Sequence, residues 1–316
     1  MFKNLMAKLG KGAAKVDLVL ERQNYLPGDE VRGELVIEGG TIEQKINQVD
    51  VDLTMIVQVK EQEINHTIER FPFHESFTVQ PEARKTLPFS YVLPKDLPLS
   101  GNKVAYFFTT HLDIASGVDH SDHDFLKIHP PLRLQKVLAA LSELGLREKH
   151  DSRSFNGYAQ EFALFPTAFL QGRAEEVEFV AAVEEAGIRL LLELDLFSWA
   201  GEQEVRREIW LENKQLDNPD ELTQLLKDAL SEMAENPSSF LQPRHFQHGG
   251  HKHSGLSKGG GTIGGFAAGA IGGLVLAQMM DGVGEEIAEA ADIDLPEIED
   301  TGEFFDDVGD FFGGDE

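Results

Sequence analysis

The 316-residue sequence predicts a mainly β protein, with two antiparallel β-sandwiches joined by a short helix and followed by a C-terminal helix and a low-complexity acidic tail. Three observations predict it. Apolar and polar residues alternate with period two through most of residues 16–127, with turn signals every ten or so positions. The intervals between these runs are too short for the crossover helices that a parallel sheet needs. Between and after the β regions, helical three-and-four spacing marks residues 132–146 and 219–235.

Taken in order, the first strands read VDLVLERQNYLPGDEVRGELVIEGG, where Val16, Leu18 and Leu20 share one face. Residues 25–29, Tyr-Leu-Pro-Gly-Asp, make a turn, after which Val31, Leu35 and Ile37 resume the apolar face. In VDVDLTMIVQVK, Val49, Val51, Leu53, Met55, Val57 and Val59 alternate with Asp50, Asp52, Thr54 and Gln58. The connector helix carries Leu134, Val137, Leu138, Leu141 and Leu144 on one stripe, with Gly145 as its stop. A second, smaller β region follows, with EFALFP, EVEFVAAVEEAGIRLLLELDL and REIWLE as candidate strands around an Ala-Gly turn. The last helix has Asn218 as N-cap, Pro219 in its first turn, and Asp220 and Glu221 complementing the dipole. The domain boundaries are therefore 1–14, an amphipathic segment; 15–128, the first sandwich; 129–151, the connector; 152–214, the second sandwich; and 218–236, the helix. Beyond it lie a His/Gly linker at 237–258, an uncharged glycine-rich segment at 259–280 and the acidic tail at 281–316.

Charge excludes some functions. There are 55 Asp and Glu against 28 Lys and Arg, a net charge of −27, which opposes general nucleic-acid binding. Residues 281–316 hold 15 acids and no base, so the remainder carries 40 acids against 28 bases. With no cysteine, disulfides, thiolate catalysis and thiolate-bound zinc are excluded, and a reducing compartment fits. The start, MFKNLMAKLGKGAAK, has no uninterrupted apolar run of a secretory signal, and a cytoplasmic location is expected. Phe2, Leu5, Met6 and Leu9 on one side, with Lys3, Lys8 and Lys11 nearby, suit either a weak membrane-surface anchor or a short docked helix.

The residues Lys15, Val16, Asp17, Tyr25, Pro27, Gly28, Val31 and Gly33 form a Lys-Val-Asp start followed by Tyr-x-Pro-Gly-x-x-Val-x-Gly. This run resembles the opening of the sporulation-control protein family. Residues 129–151, HPPLRLQKVLAALSELGLREKHD, and the following GYAQEFALFPT around Gln160, Glu161, Phe162 and Pro166 resemble its interdomain helix and second-domain opening. The likeness covers about residues 1–212 and stops before the glycine-rich and acidic segments. It implies an arrestin-like fold for both sandwiches, no catalytic residues, and a part in stress, envelope or developmental regulation.

Candidate chemistry is sparse. His120, Asp122, His123 and Asp124 in DHSDHD are metal-ligating residue types, but a polar hairpin loop between two strands is the plainer reading. His245, His248, His251 and His253 are the better metal candidates, set against a solvated linker loosened by Gly249 and Gly250. No Ser-His-Asp order with elbow glycines, GxxxxGK[ST] loop or HExxH occurs, so no catalytic or cofactor-binding residue and no cofactor is assigned. Residues 261–280 run uncharged for a length that would make a helix of about 30 Å. Gly261, Gly265, Gly269 and Gly273 strip one face of that helix in the manner of a glycine zipper. A membrane-inserted helix, a helix that self-associates in water, and a flexible linker all remain open for it. With Lys252 and Lys258 before it and only acids after it, insertion would attach the protein to the inner face of the membrane.

Partner contacts are expected from Leu222, Leu226 and Met233 of the last helix, and from Phe304, Phe305, Phe311 and Phe312 in the tail. The apolar stripe of the helix needs burial, either in a homodimer or within the chain. The leading functional expectation is a non-enzymatic scaffold or regulatory adaptor that also self-associates; the alternative is an envelope protein anchored by residues 261–280. A metal-dependent hydrolase using the histidines ranks last.

Overall fold

The computed structural model describes residues 12–59, 62–73, 76–115, 117–155, 159–197, 203–240 and Ile271. Its first half is a sandwich. One layer has three strands in the order β1-β3-β7: β1 (Lys15–Leu20), β3 (Glu30–Glu38) and β7 (Arg84–Val92). The other has the order β2-β9-β8-β4-β5, with β6 also on β4: β2 (Asn24–Tyr25), β4 (Gln44–Val59), β5 (Gln62–Phe73), β6 (Phe77–Val79), β8 (Val104–Ile114) and β9 (His120–Ile128). All ladders are antiparallel except the short β2–β9 pair.

The alternation in β4 does what it predicts. Val49, Val51, Leu53, Met55 and Val57 are wholly buried, facing Val16, Leu18, Leu35 and Ile37 of the opposite layer in one core. On the outer face of β4, Asp52 is buried but held by Arg70 of β5 through two bonds of 2.7 Å, so its charge is compensated in place. The Leu26–Asp29 turn closes with Asp29 N–H on the Leu26 carbonyl at 3.0 Å, and Gly28 sits at φ +83, a conformation that favours glycine. Gly33 is required for a different reason: a Cβ there would lie 2.6 Å from the Val19 carbonyl of β1.

Helix α1 (Leu132–Glu143) follows and ends where expected, with Gly145 at φ +84. The second half is one six-stranded antiparallel sheet in the order β10-β12-β13-β14-β15, with β11 on β12. These strands are β10 (Leu146–Glu148), β11 (Ser154–Phe155), β12 (Gln160–Pro166), β13 (Ala174–Val183), β14 (Gly187–Leu196) and β15 (Gln203–Glu212). Among the described residues the layer opposite this sheet is helical. It consists of α1, α2 (Asn213–Leu216) and α3 (Pro219–Glu235), which bury Leu134, Val137, Leu141, Leu226, Leu230 and Met233 in the core that holds Phe179, Leu190, Leu192 and Leu194. The N-cap forms as the sequence predicts, Glu221 N–H donating to Asn218 Oδ1 at 3.4 Å.

The apolar stripe of α3 therefore lies inside the chain. Leu222, Leu226 and Met233 are 1%, 0% and 0% exposed, so these three expected partner-binding residues are core residues instead. Of the two ways to bury the stripe, intramolecular docking is the one observed. A period-3.6 stripe specifies that a face must be covered but not by which molecule.

One clasp joins the halves and another anchors α1 to the second sheet. Gln160, wholly buried, accepts Leu99 N–H at 2.6 Å and donates to the Leu99 and Arg153 carbonyls at 2.7 and 3.0 Å, so its amide acts as a one-residue strand partner for Leu99. Arg133 of α1 donates to the Glu184 carbonyl at 2.6 Å and Asn213 Oδ1 at 2.8 Å, fixing the helix to the β13–β14 turn. Most buried apolar residues of both halves form one contiguous cluster, with Ala159, Val180 and Ala182 in a separate small one.

Because Leu226 completes this cluster within a single chain, Leu226→Ala is expected to lower unfolding free energy by about 2–4 kcal/mol in urea titrations, independently of protein concentration. A loss confined to partner binding, with stability unchanged, would contradict the intramolecular assignment.

Candidate functional site

The chemistry-bearing side chains gather in two acidic groups, one in each half. The first lies where β1 runs beside β9. Strand β1 pairs with β3 along one edge; its other edge is met by side chains of β9. Val16 N–H donates to His120 Nδ1 at 3.3 Å, and Leu18 N–H donates to the Asp124 carboxylate. Between these two on the same face stands Asp122, hydrogen-bonded to Asp17. Burial, then Asp122 and Asp17, push Asp124 up to about 7, and burial with Asp122 raises Asp17. Two carboxyls in hydrogen-bond contact share a proton; the carboxylate oxygens of Asp17, Asp122 and Asp124 all lie within 4.8 Å of one another, which also suits a hard cation.

The second group covers the face of the second sheet turned away from the helices. Register sets Glu178, Glu193 and Arg206 side by side across β13, β14 and β15, with Glu176, Asp195 and Glu204 in the neighbouring row. Arg206 grips Glu193 in a fork, Nε to Oε2 at 2.8 Å and Nη2 to Oε1 at 3.1 Å, while Lys149 holds Glu176 at 2.8 Å. Glu178 stands next to these pairs. Burial first, and then Glu161, Glu176, Glu193 and Asp195, push it up to about 9, so at neutral pH it keeps its proton. The oxygens of Glu161, Glu178 and Glu193 lie within 4.8 Å of one another.

The structure divides the DHSDHD run differently from the hairpin-loop expectation. Residues 120–128 are strand β9, so His120, Asp122 and Asp124 point inward, while His123 points outward to Thr109 Oγ1 at 3.0 Å. Asp17, their third carboxylate, comes from a distant strand that sequence spacing does not connect to them. The Glu161 group does leave a signal, acids two apart in EEVEF and LLELDL, which puts carboxylates on one face of a strand. His245, His248, His251 and His253, Gly261, Gly265, Gly269 and Gly273, and Phe304, Phe305, Phe311 and Phe312 lie outside the described residues. Among the described residues no helix is long and apolar enough to cross a membrane.

Comparison with known proteins places this geometry in a family. The family model described as SpoOM protein matches residues 2–196. The chain belongs to the SpoOM protein family. Sporulation-control protein spo0M of Bacillus subtilis (strain 168) is 36% identical over 259 residues, which take in 74% of this chain and 99% of that protein. The crystal structure of Spo0M, sporulation control protein, from Bacillus subtilis is similar with a TM-score of 0.55 and 33% identity, covering 70% of this chain and 99% of that one. The mainly β fold is thus shared with the family. The Pro27-Gly28 turn, Gly33, Gln160 and the carboxylates of both acidic groups except Glu204 lie within the matched residues.

The raised carboxyls of Asp124 and Glu178 bind a proton more tightly folded than unfolded, so the stability they contribute is full at low pH and is lost as pH rises through their folded values. Asp124→Asn keeps an acceptor for Leu18 but cannot ionise. It should match the wild type near pH 4 and exceed it at pH 8 by about 1 kcal/mol, after discounting the shift for partial exposure. Glu178→Gln should separate from the wild type later, as pH climbs from neutrality through about 9. Urea unfolding across pH 4–10 measures both; coincident profiles would mean that neither carboxyl is perturbed.

Proposed function

We propose that this chain is a regulatory protein of the sporulation-control kind that acts without catalysis, as a scaffold or adaptor through protein–protein contacts in developmental, stress or envelope regulation. One observation carries the reading: the chain spans 99% of a protein named for sporulation control at 36% identity, so the whole of that relative has a counterpart here. The acidic groups support it. Their side chains cap strand edges, pair with Arg206 or hold protons, which are structural tasks. The outer face of the second sheet also presents Trp210, 36% exposed, with the Arg189 guanidinium 5.3 Å from its ring centre. Trp and Arg are the residue types most enriched among the energetic anchors of protein interfaces.

The test is replacement in Bacillus subtilis. A strain lacking its own sporulation-control protein receives this full chain or its Trp210→Ala variant, and sporulation frequency is counted. Restoration by the full chain, reduced in a Trp210→Ala variant expressed at the same level, is the expected result. A stably expressed chain that leaves the frequency of the deletion strain unchanged overturns the proposal.

A further inference from the structure

The β12–β13 ladder runs from Leu164 opposite Val177 to Glu161 opposite Val180. The next rung would join Gln160 to Ala181. Instead, Ile271 stands between the two strands: its N–H donates to the Ala181 carbonyl at 3.0 Å, and its carbonyl accepts Gln160 N–H at 3.1 Å. Ile271 is 6% exposed and belongs to the main core, and Gln160 and Ala181 are wholly buried. A single residue from the glycine-rich segment thus replaces one rung of the second sheet.

Both partners suit this arrangement. Beside the fork Ala159, Ala181 and Ala182 carry small side chains, Ala181 in the same core cluster as Ile271 and the other two in a separate cluster with Val180. In the segment, Ile271 is flanked by Ala270 and Gly272 and is the only branched aliphatic residue between Ile263 and Leu274. It is one apolar knob in a run of small residues. The fork lies inside the family-matched residues and Ile271 lies beyond them.

We propose that the β12–β13 fork is a binding slot for a single apolar residue carried on a turn, occupied in cis by the chain's own Ile271, and that occupancy is coupled to the seam between the two halves through Gln160. The tether favours the cis occupant. Phe240 is held at β15, its carbonyl accepting Arg206 N–H at 3.3 Å. The intervening residues 241–270 reach about 100 Å when extended, while β15 and the fork are separated by about three strand spacings of roughly 4.8 Å. The local concentration of Ile271 is then on the order of millimolar, far above that of a second copy in solution. Coupling follows from Gln160 itself, whose main chain binds Ile271 while its side chain binds Leu99 N–H and C=O. Withdrawal of Ile271 strands a buried donor and a buried acceptor at the fork and loosens the residue that clasps the first sandwich.

Amide hydrogen exchange on the full chain tests this, with Ile271→Asp as the disrupting variant, Ile271→Val as the conservative one and Val275→Asp as a charge control in the same segment. In the wild type the amides of Ile271, Gln160 and Leu99 are expected to be protected to the same degree at two protein concentrations a hundredfold apart. Ile271→Asp should lower protection of Gln160 and Leu99 at least about tenfold while Leu192 in β14 stays unchanged, which separates undocking from unfolding; Ile271→Val and Val275→Asp should behave as the wild type. An Ile271 amide that exchanges like an open chain overturns the slot. Protection that decays on dilution overturns the cis assignment, and a Leu99 amide indifferent to Ile271→Asp overturns the coupling.

Discussion

An antiparallel sheet satisfies its backbone only between strands; wherever a ladder ends near the core, N–H and C=O groups are left that water cannot reach. Each joint of this molecule is an answer to that constraint. The free edge of β1 is met by His120 and Asp124. Leu99, in the connection before β8, is met on both sides by the amide of Gln160. The carbonyl of Glu184 at the β13–β14 turn is met by Arg133, and the fork between β12 and β13 by Ile271. In each case a polar group from a distant part of the chain completes an edge, so the pairing that prevents an unsatisfied backbone also fixes how the pieces sit together.

The same constraint explains why a strongly acidic protein buries carboxyls at all. A carboxylate is a good acceptor for backbone N–H, but removing it from water is costly unless a cation or a proton accompanies it. Asp52 and Glu193 have cations, Arg70 and Arg206, in forked geometry. Asp124 and Glu178 face other acids and rise to about 7 and about 9, so a proton takes the place that an arginine fills elsewhere. Two kinds of buried acid therefore coexist, one accompanied by a cation and the other by a proton.

The range of each interaction decides how legible it is in the sequence. The alternation of β4, the Pro27-Gly28 turn and the Asn218 cap are decided by neighbours within a few residues, and they appear as the sequence predicts. Strand β9 begins earlier than its apolar residues suggest, because a strand whose inward side is polar has the composition of a loop; His120, Asp122 and Asp124 alternate with Ser121 and His123 just as apolar residues would. The α3 stripe announces burial, but whether Leu226 meets a partner or its own sheet is a tertiary question that periodicity does not address. The helical rather than β layer over the second sheet is hidden for the same reason, since the inner face of β14 is equally apolar under either cover. Asp17 beside Asp122 and Gln160 beside Leu99 join positions more than sixty residues apart, and no local pattern marks such pairs.

Gln160 shows what a polar residue at the head of an apolar strand can accomplish. A Leu at that position would bury more apolar surface, yet it would leave Leu99 N–H and C=O without partners in a site that excludes water, and the loss of two buried bonds outweighs the gain of one side chain's burial. The residue's two ends then have separate tasks. Its side chain joins the first sandwich to the second sheet, and its main chain accepts the occupant of the fork, so the start of β12 is also the place where Ile271 meets the domain seam. A sheet built by closing every rung would be more regular; leaving one rung to Ile271 makes that rung removable without breaking the ladder beside it.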